Sequence, residues 1–337
     1  STMQEDEEDF GQKDPPLYKC IQGILRRYPQ GGQILKELIQ NAEDANATLV
    51  QFYIDRNTYP TKSLLHPGLA VFQGPALLCY NNQVFEKSDW QNIQNIEESA
   101  KSENALKIGK FGLGFKSVYH LTDLPSVVSG SSIGFLDPHG SYFSTSLHPT
   151  RGRRIEFLKN RDAIIKSLDQ FKPYINKVAG LDFTRSFPGT LFRFPFRNAD
   201  ACKTTKLFTQ TPGPISEEDI QNLVKGFLDD LKYNILFLRN IRLIELYEIG
   251  PKLRDHKRLA CISVERSTDI ESRSLMQSKI IQRCGLIDEK MFSADDIEQQ
   301  HEIILKEEGC DSSISVPRAG ASTPFQAHMK GADQQLT

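Results

Sequence analysis

The chain has 337 residues, 39% hydrophobic and 25% charged, with a formal net charge of -2. That length suits one large domain or two, and that balance is ordinary for a soluble globular protein with a core. It excludes a global basic field that would recruit nucleic acid or an acidic membrane surface.

Six scattered cysteines (Cys20, Cys79, Cys202, Cys261, Cys284, Cys310) form no C-x-x-C pair, so neither a zinc site nor a disulfide scaffold is expected and a reducing cytoplasm suits the chain. No apolar run approaches the roughly 20 residues of a membrane helix, and STMQEDEEDFGQ lacks the hydrophobic segment of a signal peptide.

Residues 1–14 are acidic and polar and are expected to stay unstructured. Pro15-Pro16 opens a helix with Leu17, Cys20, Ile21, Ile24 and Leu25 at helical spacing, ending at Tyr28-Pro29. After the break at Gly31-Gly32, a second helix shows Ile34, Leu35, Leu38, Ile39 and Ala42 on its apolar face. Residues 49–54 read as a strand buried on both faces, and Ala76–Tyr80 as a second buried strand. Ser88, with Gln91 three residues on, reads as a capping-box helix start. Lys101–Leu106 is a polar surface segment, followed by the glycines of 109–114 and a helix carrying Phe115, Val118, Tyr119 and Leu121. Hairpin strands are expected between Pro125 and Pro149, a charged helix over residues 159–171, and a strand from Gly189. Ser216 caps the helix EEDIQNLVKGFLDDL, and Leu243–Ile249 reads as a strand. Beyond Gly250 the pattern weakens, and residues 251–337 are expected to be a linker or the start of a following domain. Helices lead and strands then mix with helices, which favours an α+β fold.

Three pieces of chemistry stand out. In ELIQNAEDAN, Glu37, Asn41 and Asp44 fall within about 60° of the helix, a narrow polar line beside its apolar face. By itself this is a solvated helix face or a ligand wall, where Glu37 activates water and Asn41 gives an oxygen to Mg²⁺. Gly109-Lys-Phe-Gly112-Leu113-Gly114-Phe115 is a glycine loop whose N–H groups could close on phosphate. Its G-x-x-G-x-G spacing is not the Rossmann fingerprint, and Phe115 ahead of Lys116 excludes a Walker A loop. Asn81-Asn82 and Gly189-Thr190 place two amides and a hydroxyl at the ends of two buried strands.

In this order the pieces resemble the Bergerat-type ATPases: the E-x-x-x-N-x-x-D-A helix, the glycine motif GKFGLGFKSVYH, and the final G-T. Closer still, RRYPQGGQILKELIQNAEDANAT, QGPALLCYNNQVFEKSDW, KIGKFGLGFKSVYHLTDLPSVVSG, FLDPHG and FPGTLFRFPFR are similar to the chaperone-like repeat module of the sacsin family, over residues 15–250. The resemblance implies a two-layer α/β sandwich with a mixed sheet and helices on one face forming a nucleotide pocket. It implies ATP and Mg²⁺ as ligands, Glu37 as general base and Asn41 as Mg²⁺ and phosphate ligand. Gly112, Leu113, Gly114 and Phe115 would give N–H groups to phosphate, residues 101–108 would be the lid, and Thr190 would support the adenine network with Asp44 near the base. It also implies client proteins, other chaperones and cytoskeletal filaments as partners in protein quality control, and no nucleic acid or membrane.

One wall departs from that pattern. Where the wider family reads adenine with the aspartate of D-x-G-x-G, this chain has Asn81-Asn82-Gln-Val-Phe, with no carboxylate and no glycine. Asn82 is the expected reader if the loop is two residues shorter; an ungapped match gives Tyr80. Losing the charge-assisted bond costs on the order of 1–2 kcal/mol, about tenfold in affinity, and bulkier side chains could crowd the base. The expected function is therefore a weak or slow ATPase module, with a degenerate scaffold or client-binding domain as the alternative.

Overall fold

A computed structural model describes residues 16–28, 31–95, 112, 114–144, 150–234, 238–251, 256–264, 303–307 and 310–314. Residues 1–14, residues 101–108 where a lid is expected, and Leu113 lie outside them. The helix α1 (Leu17–Arg27) follows Pro16, whose ring suits a position where no helical N–H is needed, and buries Ile21, Ile24 and Leu25. The next helix, α2 (Gln33–Asp44), buries the expected face of Ile34, Leu35, Leu38, Ile39 and Ala42. Gly32 at its start is held close to the long helix Glu217–Asn234: a Cβ there would meet the Gly226 carbonyl carbon and the Phe227 nitrogen at 3.0 Å. The chain leaves α2 through Asn46 at φ 58°, a left-handed turn that asparagine tolerates.

The strands are β1 (Leu49–Asp55), β2 (Ala76–Asn81), β3 (Ser126–Gly130), β4 (Ser132–Leu136), β5 (Gly152–Glu156), β6 (Phe187–Pro195), β7 (Leu243–Ile249), β8 (His256–Val264), β9 (Ile303–Glu307) and β10 (Cys310–Ile314). They form one ten-stranded sheet in the order β10-β9-β8-β7-β1-β2-β6-β3-β4-β5. The β1–β7 pair is parallel and the others are antiparallel, so the sheet is mixed and the fold is an α+β sandwich. Strand pairing continues past Gly250 through β8 to β10.

Alternation along the central strands sorts the core onto two faces. Leu77 and Cys79 of β2, with Phe192 and Phe194 of β6, pack with α1, α2 and the Glu217–Asn234 helix. Leu78, Tyr80 and Leu191 point the other way, into a second cluster with Phe157, Phe171, Tyr174 and Phe183. The sheet is thus covered on both faces, the second by a short-helix segment rather than by the site helices. The charged helix expected over residues 159–171 is two short helices, Arg161–Lys166 and Leu168–Phe171, broken where Ser167 leaves helical backbone (φ -117°, ψ 38°).

Two local expectations are corrected. The helix after β2, α3 (Lys87–Asn92), starts two residues earlier than Ser88 implied. Glu86 is its cap, and the Glu86 N–H donates to Asp89 Oδ2 at 2.9 Å, which completes a capping box with an acid pair. The helix after the glycine loop is a tighter 3-10 helix, Gly114–His120, packed against α1 and α2.

Candidate functional site

The site face of the sheet is where Asn81 of β2 lies in register with Thr190 of β6, beneath α2. Glu37 and Asn41, one turn apart on α2, are both half-buried, whereas Asp44 at the end of the helix is exposed. Gln33 Nε2 donates to Glu37 Oε1 at 3.1 Å. The Glu37 carboxylate lies directly against the glycine loop: a Cβ on Gly114 would stand 1.8 Å from Glu37 Oε2 and 2.2 Å from its Cδ. Any side chain at residue 114 must displace that carboxylate, which is a physical reason for the final glycine. Two motifs 77 positions apart are thereby joined, the figure being the difference between positions 37 and 114.

Phe115 turns its ring into the core, with ring centroids 5.5 Å from Phe192 and 6.5 Å from Phe194. Lys116 is fully buried and donates from Nζ to the Ile93 carbonyl at 2.8 Å, tying the loop helix to the end of α3. Burial pulls its pKa down to about 7. Its ammonium therefore serves the core rather than a phosphate. Gly112 is described and half-buried.

At the other end, a cavity of about 10 Å³ is lined by Asn41, Asn81 and Thr190 on one side and by Gln83, Val84 and Phe85 on the other. That is room for about one water molecule. The Gln83–Phe85 segment is fastened in place. Thr190 Oγ1 donates to the Gln83 carbonyl at 2.7 Å, and the Phe85 N–H donates to Ser129 Oγ at 2.8 Å. The two hydroxyls lie 2.8 Å apart, and Ser129 Oγ approaches the Gly189 carbonyl at 3.1 Å. Phe85 stacks edge-on against Trp90 at 5.2 Å. Asn81 Oδ1 accepts from the Gln83 N–H at 3.0 Å. Gly189 is required by close approach: a Cβ would meet the Asn81 carbonyl oxygen at 2.5 Å and Tyr80 Cε2 at 2.6 Å.

The structure thus brings Glu37 against Gly114, and Asn41 together with Thr190. Asn82 is elsewhere. Its Oδ1 accepts from the N–H groups of Thr48 and Leu49 at 3.0 and 3.2 Å, and its Nδ2 donates to Thr48 Oγ1 at 2.8 Å. It closes the entry to β1 and does not line the cavity. Tyr80 points to the opposite face of the sheet, into the second cluster. Of the residues facing Asn41 and Thr190 across this cavity, Gln83 and Phe85 carry one signal in the sequence: they stand where the D-x-G-x-G motif of the Bergerat-type ATPases has glycines. Ser129, which anchors them, had none.

Glu43 carries no functional signal in the sequence. Its carboxylate accepts three backbone N–H groups, from Arg239, Asn240 and Ile241, at 2.6, 2.8 and 3.0 Å. This fixes the loop that enters β7. His120 and His139 are packing groups: His120 Nε2 meets the Tyr28 carbonyl at 2.6 Å, and His139 Nε2 accepts from the Lys206 N–H at 2.9 Å. Among the described residues no His, Cys, Asp and Glu cluster could hold a metal ion, and no helix is long and apolar enough to cross a membrane.

The Sacsin domain family model matches residues 14–260. Human Sacsin is 43% identical over 242 residues, which cover 71% of this chain and 5% of that protein. Protein NO VEIN of Arabidopsis thaliana is 27% identical over 132 residues, 36% of this chain and 4% of that one. The chain therefore spans about one-twentieth of the length of these relatives. Among solved structures, the crystal structure of an N-terminal domain of a DNA repair protein aligns over 89% of this chain and 69% of that one, at a TM-score of 0.38 and 14% identity. That likeness is too distant to bear on the site. With the family model spanning most of the chain, this protein belongs to the Sacsin domain family.

Proposed function

We propose that the chain is the chaperone-like module of a large sacsin-like protein, and that it works as a protein-interaction scaffold in protein quality control, with nucleotide binding weak or lost. The observation that carries this reading is the cavity of about 10 Å³ at the base end, set against the roughly 300 Å³ or more of a small-molecule site. ATP with Mg²⁺ fits this chain at one end only. Glu37, Asn41 and Gly114 would suit the phosphates and the metal. The base end does not admit adenine while Gln83–Phe85 is fastened by Thr190 and Ser129. Client proteins, other chaperones and cytoskeletal filaments are the proposed partners, and the cytoplasm the proposed compartment, on family resemblance.

A second reading, a weak or slow ATPase, is favoured by one observation: the carboxylate of Glu37 lies against the glycine loop. It requires the Gln83–Phe85 segment to move away. Isothermal titration calorimetry with Mg-ATP and Mg-ADP separates the two. Scaffold use predicts no binding tighter than millimolar, in the chain as it is and in Glu37→Ala alike. Micromolar binding that disappears in Glu37→Ala and Asn41→Ala would overturn it in favour of the ATPase.

A further inference from the structure

A second, much larger cleft lies between α3 and the β4–β5 hairpin, with a volume of about 800 Å³. Its floor is apolar, made by Tyr119, Val127 and Leu136, and its wall is Trp90, while the Phe135 side chain belongs to the cluster on the other face of the sheet. Gly134 lets the wall stand close to the floor, since a Cβ there would lie 2.9 Å from Trp90 Cζ3. Around the opening stand Lys87, Arg151, Arg153 and Arg154, all exposed. No Asp or Glu is among the described lining residues, in a chain whose net charge is -2. A local field of one sign over an apolar wall concentrates anionic partners.

The cleft also runs along the edge of the sheet. Among the described strands β5 pairs only with β4, so it ends the sheet at that side. An edge strand presents unpaired N–H and C=O groups that an extended chain can pair with, and alternate side chains of that chain then fall on alternate faces. The Arg154 guanidinium already covers the Trp90 ring at 5.2 Å and Phe85 meets it edge-on, so the ring is not an open stacking platform for a base.

We infer that the cleft and the β5 edge bind an extended acidic segment of a partner protein, which adds a strand to β5, lays apolar side chains on the Val127–Leu136 floor, and sets carboxylates against the arginines Arg151, Arg153 and Arg154 that border the edge. The assignment is independent of whether the cavity at Asn41 takes nucleotide.

Trp90 is the only tryptophan of the chain and reports on this cleft directly. The full chain is titrated with a tryptophan-free peptide of about eight residues alternating Glu and Val, long enough for one strand. Trp90 emission should change saturably, the affinity should fall as salt rises, and a matching Lys-Val peptide should not bind. Arg153→Glu combined with Arg154→Glu should weaken binding about tenfold or more. Because Arg154 touches the reporter, Arg151→Glu is the second variant, read by anisotropy of a fluorescein-labelled Glu-Val peptide and expected to weaken binding in the same direction. Unfolding midpoints equal to that of the parent chain show that both variants fold. A silent Trp90, unchanged affinity in both variants, or tighter saturation by a single-stranded oligonucleotide would overturn the assignment.

Discussion

Lys116 offers the sharpest quantitative test of how the glycine loop is held. Its ammonium is fully buried, and its pKa falls from 10.5 to about 7, with burial as the cause. A drop of roughly 3.5 units, at 1.36 kcal/mol each, corresponds to a penalty of about 5 kcal/mol for the charged form in the core. The unfolded chain keeps this proton up to about pH 10.5, and the folded chain only up to about 7. Between those values the unfolded state binds more protons, so stability rises with pH across this window and is lost as pH falls through it. Lys116→Met keeps the length of the side chain and removes the charge. It also forfeits the bond to the Ile93 carbonyl, worth about 1–3 kcal/mol including the oxygen left unsatisfied. At about pH 7.5 the variant should be more stable by about 1–3 kcal/mol. Urea unfolding at about pH 7.5 and 9.5 should show the parent chain gaining about 2–3 kcal/mol on the variant as pH rises. Parallel profiles, with the variant less stable at both values, would refute the reasoning and mean that the site accommodates a charged lysine.

Removing Glu43 should loosen the entry to β7: Glu43→Ala leaves three backbone N–H groups without their carboxylate and should cost about 2–3 kcal/mol in urea unfolding, with Glu43→Gln between it and the parent. A loss below about 0.5 kcal/mol would show that the bonds are replaceable by water. Arg197 is buried on Asp123, with Nε to Oδ1 at 2.7 Å, and donates to the His120 and Tyr119 carbonyls. Arg197→Met should cost about 3–5 kcal/mol, and adding Asp123→Leu should recover part of that, because the orphaned carboxylate is then gone; additivity of the two losses would argue against the pairing. Thr190→Val removes the donor that fastens Gln83 and should cost about 1–2 kcal/mol. Faster hydrogen exchange confined to residues 83–86 would support its role in closing the cavity, and uniform exchange would remove it.

The amino-acid sequence by itself determined the elements whose cause is local: the apolar stripe of α2 and the strands β1, β2, β6 and β7. Spacing at 3.6 and at 2 residues carries that information without any partner. It also held the departure from the D-x-G-x-G motif, since Gln83 and Phe85 stand in place of its glycines. Only the tertiary structure decided what this departure does. Asn82 could have faced the cavity or the start of β1, and the choice rests on Thr48, which is 34 positions away. Thr190 and Ser129 come from separate strands, and their hydroxyls hold Gln83 and Phe85 only because β3 and β6 pair in that register. The start of α3 at Glu86 rather than Ser88 has a local cause instead: Glu86 and Asp89, three residues apart, form the capping box. Chain periodicity reports which face of an element is apolar. Which polar groups meet across that face is set by long-range register, and that decides how tightly the cavity between Asn41, Thr190 and Gln83 is closed.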